Sequence, residues 1–567
     1  MNGRIRLISF VIIFGALVMS LRLYFVQIVH GGSFVSEAER QYVNKNTLSY
    51  DRGEIYFESK VGELIPAAIS RSGFTVAINP KIMKDPKKVF EDLSQVLPLD
   101  RDDFFAKSSK KDDVYEEIAK HLNSETSEKI EALNIYGVNV STDKWRYYPG
   151  GKLSAQSIGF VGFDGDLLAG RYGLERYYED ILKRDPSKAY NNFFAEFFSN
   201  VKESLNDLPA EEGSIVTTVE PSVQLFLESE LQNVRDKWGS DGAGGVVIDP
   251  MNGEILGLAW NPGFDLNNFK ESDVKHFDNP IVEGVYEMGS IVKPLTMASG
   301  IDSGTVTAAS TYYDAGFLFL NNKRISNYDG KGRGTVSMQE VLNQSLNTGA
   351  AYVAMKMGNQ EFAEYMKNFG VGTETGIDLP NEGHGLINNL DSTRDIEIVT
   401  ASYGQGVAFT PIATVRALSA LANGGTLITP HLVKKIEYES GISKKVSFAP
   451  GKQVIKKETS DEITRMLVNV VDKALRGGTA KISGYSVAAK TGTAQMTNEG
   501  QAGYVEGKYL HSFFGYFPAY KPRFLVFLFH LYPKNVRYAS ETLTDPFLNI
   551  TKFLLNYYQV PPDRPGE

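Results

Sequence analysis

The sequence predicts a mixed α+β protein of more than one domain. It has a single N-terminal apolar helix, then a polar α+β region, then a region built on a central antiparallel sheet flanked by helices. Three observations predict this. The chain has 567 residues, enough for two to four domains that each bury a core. One uncharged apolar run stands near its start. Beyond residue 213, short strand-like runs of period 2 are interleaved with helical patterns, the signature of helices packed on a sheet.

Composition removes several function classes. At 42% hydrophobic and 22% charged, the chain is ordinary globular protein. A formal net charge of −9 supplies no broad basic surface, so no nucleic-acid partner is expected. Cysteine is absent, which excludes thiolate catalysis, disulfide frameworks and Cys-based zinc sites, and suits an oxidising compartment. The seven histidines show no HExxH or His-x-His spacing, so neither a metal nor another cofactor is expected.

The elements follow in chain order. Leu7 to Leu21 is uncharged but short of the ~20 residues that span a bilayer. Apolar character resumes after Arg22, and Leu7 to Val29 together reach spanning length with Arg22 snorkelling near one interface. Arg4 and Arg6 precede the run, which leaves residues 1–6 in the cytoplasm and the rest outside. No small-residue cleavage site follows, so the segment reads as an uncleaved anchor rather than a signal peptide. Residues 30–213 form the polar region, with a charged helical stretch at Asp112 to Leu133. Aromatics at helical spacing in Asn191 to Leu205 mark a packing helix there. Composition shifts at Pro209–Gly213, where a domain boundary is expected. Residues 214–567 form the second domain. Ser214 to Val219 is β-branched and strand-like, and Glu220 to Trp238 is a helix opened by Pro221. Gly244 to Trp260 is a hairpin turning at Asp249–Gly253. Helices are expected at Val292 to Ile301 and Met338 to Met357, and three strands in Tyr485–Gln495, Ser512–Ala519 and Arg523–Leu531.

Chemistry is suggested by three short motifs in a fixed order. Ser290-Ile-Val-Lys293 puts a serine and a lysine one helical turn apart. The bare pattern also occurs at Ser108, Ser141, Ser199 and Ser272, so alone it decides nothing. A serine hydroxyl needs a neighbouring base to become nucleophilic. Lysine serves only if its pKa falls from about 10.4 toward 7, roughly 4–5 kcal/mol of environment, which burial and a nearby cation supply. The sequence offers both kinds of company. Ser345-Leu346-Asn347 lies 55 residues later and brings a hydroxyl and an amide. Lys490-Thr491-Gly492-Thr493 lies 145 residues further on, at a strand edge able to pair with an extended peptide. Its lysine and hydroxyls suit a carboxylate, and Gly492 would let the substrate approach the backbone. Ser-x-x-Lys, Ser-Asp-Asn and Lys-Thr-Gly in this order are the signature of penicillin-binding proteins and class A β-lactamases, and here Leu346 stands at the middle of the second motif, a form the wider superfamily tolerates.

On these motifs, and on longer segments, the chain resembles the monofunctional, class B penicillin-binding proteins over nearly its full length. YEMGSIVKPLT (Tyr286 to Thr296) resembles that family's nucleophile segment, with Met288 in place of proline. Ala401 to Gly425 resembles its Gly-Gln-Gly region, and GYSVAAKTGTAQ its third motif, with Ala489 where glycine is common. Asp51 to Ile55 and Arg171 to Leu182 are similar to parts of its non-catalytic pedestal, whereas Lys183 to Leu208 departs from it.

The resemblance implies a D,D-transpeptidase that cross-links peptidoglycan stem peptides and is acylated by β-lactams. Ser290 would form the acyl-enzyme and Lys293 take its proton. Ser345 would relay a proton to the leaving D-alanine, and Asn347 hold Lys293 and the substrate amide. Lys490 would supply positive potential, and Thr491 and Thr493 bind the terminal carboxylate. Backbone N–H groups of Ser290 and Thr493 would form the oxyanion hole. A dimerisation-like pedestal, a bacterial cytoplasmic-membrane location and a membrane-embedded glycan polymerase as partner are implied with it. The lack of cysteine leaves no Cys-containing metal loop of the kind seen in some elongation-type members, which points to the division type. A carboxypeptidase or β-lactamase-like hydrolase, and a catalytically silent scaffold, are the alternatives.

Overall fold

The computed structural model describes Met19 and residues 51–165, 167–184, 212–497 and 503–566. The expected anchor (Leu7 to Val29) and aromatic helix (Asn191 to Leu205) lie outside the described residues. Among those described, no helix is long and apolar enough to cross a membrane.

The described residues form two compact units, one including residues 70–145, the other including residues 52–69 and the described residues from 146 on. In the smaller unit, the second half of strand Leu64–Ile78 pairs with strands Glu116–Leu122 and Val138–Tyr147. Helices Pro86–Ser94, Arg101–Ser108 and Ser124–Ala132 are capped by the side chains of Asp85, Asp100 and Asn123. Val76, Ile78, Val89, Leu93, Phe104 and Ile130 fill its core. The helix expected across Asp112 to Leu133 is therefore a strand followed by a helix. Pairing of Glu116–Leu122 with Phe74–Ile78 overrides its helical charge pattern, and Asn123 starts the helix afresh.

The larger unit is organised on a five-stranded antiparallel sheet. Its strands are β1 (Gly242–Ile248), β2 (Ile255–Asn261), β3 (Ala488–Thr497), β4 (Tyr504–Phe517) and β5 (Phe524–Leu531). They are ordered β3-β4-β5-β1-β2, so β3 is an edge strand. Alternation along β4 and β5 builds two cores. Phe513, Phe517, Phe524, Val526 and Leu528 face outward to helix α1 (Pro221–Trp238) and the C-terminal helix Thr544–Tyr557. Phe514, Tyr516, Leu525, Phe527 and Phe529 face the opposite way, into the core shared with helices Lys293–Asp302, Pro411–Ala422 and Lys457–Asn469. Helix Pro411–Ala422 is buried at every residue, which suits its mostly apolar sequence, and its buried Arg416 donates to the Gly370, Thr373 and Glu374 carbonyls.

A second sheet in this unit holds strands Ser443–Lys445, Val433–Tyr438, Gly213–Thr217 and Ile55–Glu58, with the start of Leu64–Ile78. The strand expected at Ser214 to Val219 thus pairs here, with Ile55–Tyr56 and Val433–Tyr438, and not in the five-stranded sheet. Gly213 begins that strand. Beside it, Arg52 and Arg146 both donate to Glu175, a fully buried carboxylate that also accepts from the Tyr148 hydroxyl.

Candidate active site

The sequence motifs converge at the open edge of β3. Gly289–Val292 forms one 3-10 turn that runs directly into helix α2 (Lys293–Asp302). Gly289 sits at φ +64°, and a Cβ there would lie 2.6 Å from the Thr493 carbonyl oxygen. Its N–H donates to the Gly404 oxygen at 3.1 Å, which ties the nucleophile turn to the Gly-Gln-Gly segment. Glu287 makes the same link: one carboxylate oxygen accepts from Gly406 N at 2.8 Å and the other from the Tyr504 hydroxyl at 2.9 Å. Met288 is fully buried, so the position where the family commonly has proline is filled by core packing. Ser290 is half-exposed at the cleft, and its hydroxyl has no hydrogen-bond partner among the described residues.

Lys293, only 1% exposed, points down from the first turn of α2. Its Nζ donates to the Ser345 carbonyl at 2.5 Å and reaches Ser345 Oγ at 3.2 Å. Lys490, on β3, is 3% exposed, and its Nζ donates to the same Oγ at 2.9 Å and to the Thr491 carbonyl at 3.0 Å. Ser345 stands between two amines. Neither lysine is ion-paired among the described residues. Burial, and then the charge of Lys490, lowers the Lys293 pKa well below the ordinary lysine value. Burial lowers that of Lys490 to about 7. Two ammonium groups sharing one hydroxyl in a water-poor pocket repel each other, and the pair readily gives up one proton.

Ser345 reaches this position through a break in what the sequence presents as one helix from Met338 to Met357. Two helices stand there, α3 (Met338–Asn343) and α4 (Asn347–Met357). Between them Ser345 adopts φ +55°, and Leu346 is fully buried as an anchor. The left-handed turn aims both the carbonyl and the hydroxyl of Ser345 at the lysines.

Asn347 Nδ2 donates to the Ser326 carbonyl at 2.9 Å, which ties it to the strand Lys323–Ser326 at the cleft wall, and no hydrogen bond joins it to Lys293 among the described residues. Gly492 sits in a crowded part of β3. On β3, Lys490 and Gly492 face the side that carries the Ser290 turn, while Thr491 and Thr493 alternate to the other. A Cβ at Gly492 would lie 2.3 Å from Ser512 Oγ and 2.7 Å from the Met288 carbonyl. The glycine lets β3 pack beneath the nucleophile turn.

The cleft has a volume of about 640 Å³ and is lined by Ser290, Ser345, Asn347, Lys490, Thr491 and Thr493. Arg324, Tyr403, Gln405 and residues 537–540 are also among its walls. Tyr403 and Gln405 fall in the Gly-Gln-Gly segment, but nothing in the sequence near residue 537 advertises a cleft wall. Thr493 Oγ1 accepts from Ala539 N at 3.1 Å. An accessible hydroxyl, a buried amine of depressed pKa, a shared relay hydroxyl and a cationic edge strand are the parts of a serine acyl-transfer site.

The comparisons with known proteins agree with this geometry. Residues 243–551 match the family described as "Penicillin binding protein transpeptidase domain", and residues 47–218 match "Penicillin-binding Protein dimerisation domain". The chain belongs to the penicillin-binding protein transpeptidase family, in the class B arrangement that joins these two domains. It is 33% identical to "Stage V sporulation protein D" of Bacillus subtilis, over 95% of this chain and 83% of the relative. It is 29% identical to "Peptidoglycan D,D-transpeptidase MrdA" of Acinetobacter baumannii, over 93% of this chain and 84% of the relative. Its fold matches the crystal structure of Penicillin Binding Protein 2X from Streptococcus thermophilus with a TM-score of 0.71 at 20% identity, covering 90% of this chain and 79% of the other.

Proposed function

We propose that the chain is a peptidoglycan D,D-transpeptidase working through a Ser290 acyl-enzyme. The observation that carries this reading is the pair of buried lysines, not ion-paired among the described residues, that meet at Ser345 Oγ in the cleft that Ser290 also lines. Lys293 in its neutral form takes the Ser290 proton as Oγ attacks the carbonyl between two terminal D-alanines. Backbone N–H groups of Ser290 and Thr493 hold the oxyanion, an interaction typically worth about 2.7–4 kcal/mol per donor. Ser345, hydrogen-bonded to both amines, passes a proton to the leaving D-alanine. The Lys490 charge and the hydroxyls of Thr491 and Thr493 bind the terminal carboxylate. Asn347 acts on the cleft wall through Ser326 and meets the substrate amide, while Gly492 keeps β3 packed under Ser290. An amine from a neighbouring strand then resolves the ester into a cross-link. A β-lactam is taken by the same first step and leaves the serine blocked.

Residues 7–29 hold the protein in the bacterial cytoplasmic membrane as a single-pass anchor with residues 1–6 in the cytoplasm. The reading is supported by the length of the apolar run and by Arg4 and Arg6 before it. Residues 30–213 serve as the pedestal and 214–567 as the transpeptidase domain, in the extracytoplasmic space. A membrane-embedded glycan polymerase supplies the strands, in a division-type role.

The test is turnover on a D-Ala-D-Ala stem peptide with an acceptor amine present. Release of D-alanine together with a cross-linked dimer, both lost in Ser290→Ala, is the expected result. D-alanine release without dimer would assign a hydrolase, and neither product from folded protein would assign a scaffold.

A further inference from the structure

Across the sheet, Thr493 on β3, His511 on β4 and His530 on β5 are direct cross-strand partners, and so share the outer face. Both histidines are fully buried. A chain of hydrogen bonds runs through them. Ser240 Oγ lies 2.7 Å from His530 Nδ1, and His530 Nε2 lies 2.9 Å from Thr542 Oγ1. Thr542 Oγ1 lies 3.0 Å from His511 Nδ1, and His511 Nε2 lies 3.1 Å from the Arg537 carbonyl.

The last contact sets the direction of all the others. A carbonyl only accepts, so His511 Nε2 carries the hydrogen and, in the neutral ring, Nδ1 accepts. Thr542 then donates to His511 and accepts from His530 Nε2–H, which leaves His530 Nδ1 to accept from the Ser240 hydroxyl. Every donor and acceptor is matched with both rings neutral. Burial agrees with this, lowering the His511 pKa to about 4 and that of His530 well below the ordinary value. The competing contact from Thr542 Oγ1 to the Ala539 carbonyl is longer, at 3.3 Å, and that carbonyl already accepts from Leu543 N at 2.9 Å.

This chain ends on the segment that walls the cleft. It fixes Arg537 O and Thr542, the two ends of a stretch whose Ala539 N–H donates to Thr493 Oγ1. A threonine hydroxyl has one hydrogen to give. With Ala539 occupying a lone pair of Oγ1, that hydrogen is left for a ligand. We propose that Thr542 and His511 are positioning residues for the carboxylate subsite, holding residues 537–542 so that the Thr493 hydroxyl is presented to the anionic end of the bound ligand. The inference rests on the proposed role of Thr493 and deepens it.

The experiment uses the full-length protein in detergent micelles, with acylation by benzylpenicillin and by its methyl ester resolved into half-saturating concentration and limiting rate. Thr542→Val keeps the shape and removes the hydroxyl, and Thr542→Ser keeps the hydroxyl. Valine is expected to raise the half-saturating concentration of benzylpenicillin about tenfold while changing the limiting rate less than twofold. The methyl ester, with no carboxylate, should show no such change, and serine should restore the original values. If valine unfolds the chain, as read by thermal melting, Thr542→Ala carries the same comparison. Unchanged constants, or equal losses for acid and ester, would overturn the proposal. An unsubstituted protein that takes no label at Ser290 would remove the acyl-enzyme reading itself, and this inference with it.

Discussion

Replacing Lys490 by glutamine should move the pH dependence of acylation, and the size of the shift can be worked from the geometry. Both lysine Nζ atoms touch Ser345 Oγ, at 3.2 and 2.9 Å, so they lie no more than about 6 Å apart. Two unit charges at ~6 Å in an effective dielectric of ~20 repel by about 2.8 kcal/mol. That is about 2 pH units on the lysine that must lose its proton. The sign follows from the proposed roles: with neutral Lys293 as the base, acylation rises with pH through its depressed pKa. The Lys490 cation lowers that pKa, and Lys490→Gln raises it. The acidic limb of the profile should therefore move up by about 2 pH units, giving up to about a 100-fold loss on that limb and a much smaller one above it. Lost carboxylate binding lowers the whole curve without displacing it. The assay is the second-order rate of labelling by a fluorescent penicillin between pH 5 and 10, with wild type and variant compared. A uniform drop with the limb unmoved would refute the electrostatic coupling.

Other perturbations test separate parts of the structure. Ser345→Ala removes the acceptor shared by both amines, and acylation should fall by about 10²–10⁴ at every pH, as a lost proton relay does. Gly404→Ala would put a Cβ 2.2 Å from the Gly289 carbonyl oxygen at φ +80°. It should cost about 1–3 kcal/mol in denaturant unfolding and displace the nucleophile turn, so that penicillin labelling falls in protein that is still folded. Glu175→Gln leaves Arg146 without its buried ion pair, and its two remaining guanidinium nitrogens already lack partners among the described residues. Unfolding midpoints should report a loss of about 3–5 kcal/mol.

Much of this architecture is legible in the sequence, for local reasons. Strands β3, β4 and β5 announce themselves because Phe513/Phe514 and the alternating run from Phe524 to Phe529 must feed two cores at once. Helix α1 carries its own start and stop, with Pro221 in its first turn and Gly239 at φ +56° after its last. The motif order groups Ser290, Ser345 and Lys490, and the three line one cleft. What escapes the sequence is set by distant partners. The break at Ser345 has neither glycine nor proline to mark it, and is held by amines from residues 293 and 490. The partner of Asn347 is a backbone carbonyl on another element, which no side-chain pattern records. The crowding that requires Gly492 comes from Ser512 and Met288. Ser214 to Val219 reads correctly as a strand, but its neighbours lie about 160 and 220 residues away in the chain.

The central claim is that Ser290 becomes the acylated residue because Lys293 and Lys490 meet at Ser345 Oγ in the cleft it lines. Its most direct test is intact and peptide-mapped mass of the full-length protein after brief exposure to benzylpenicillin. One persistent penicilloyl adduct on the peptide containing Ser290, absent from Ser290→Ala, is the predicted result. An adduct on any other residue, or one that forms equally in Ser290→Ala, would contradict the account.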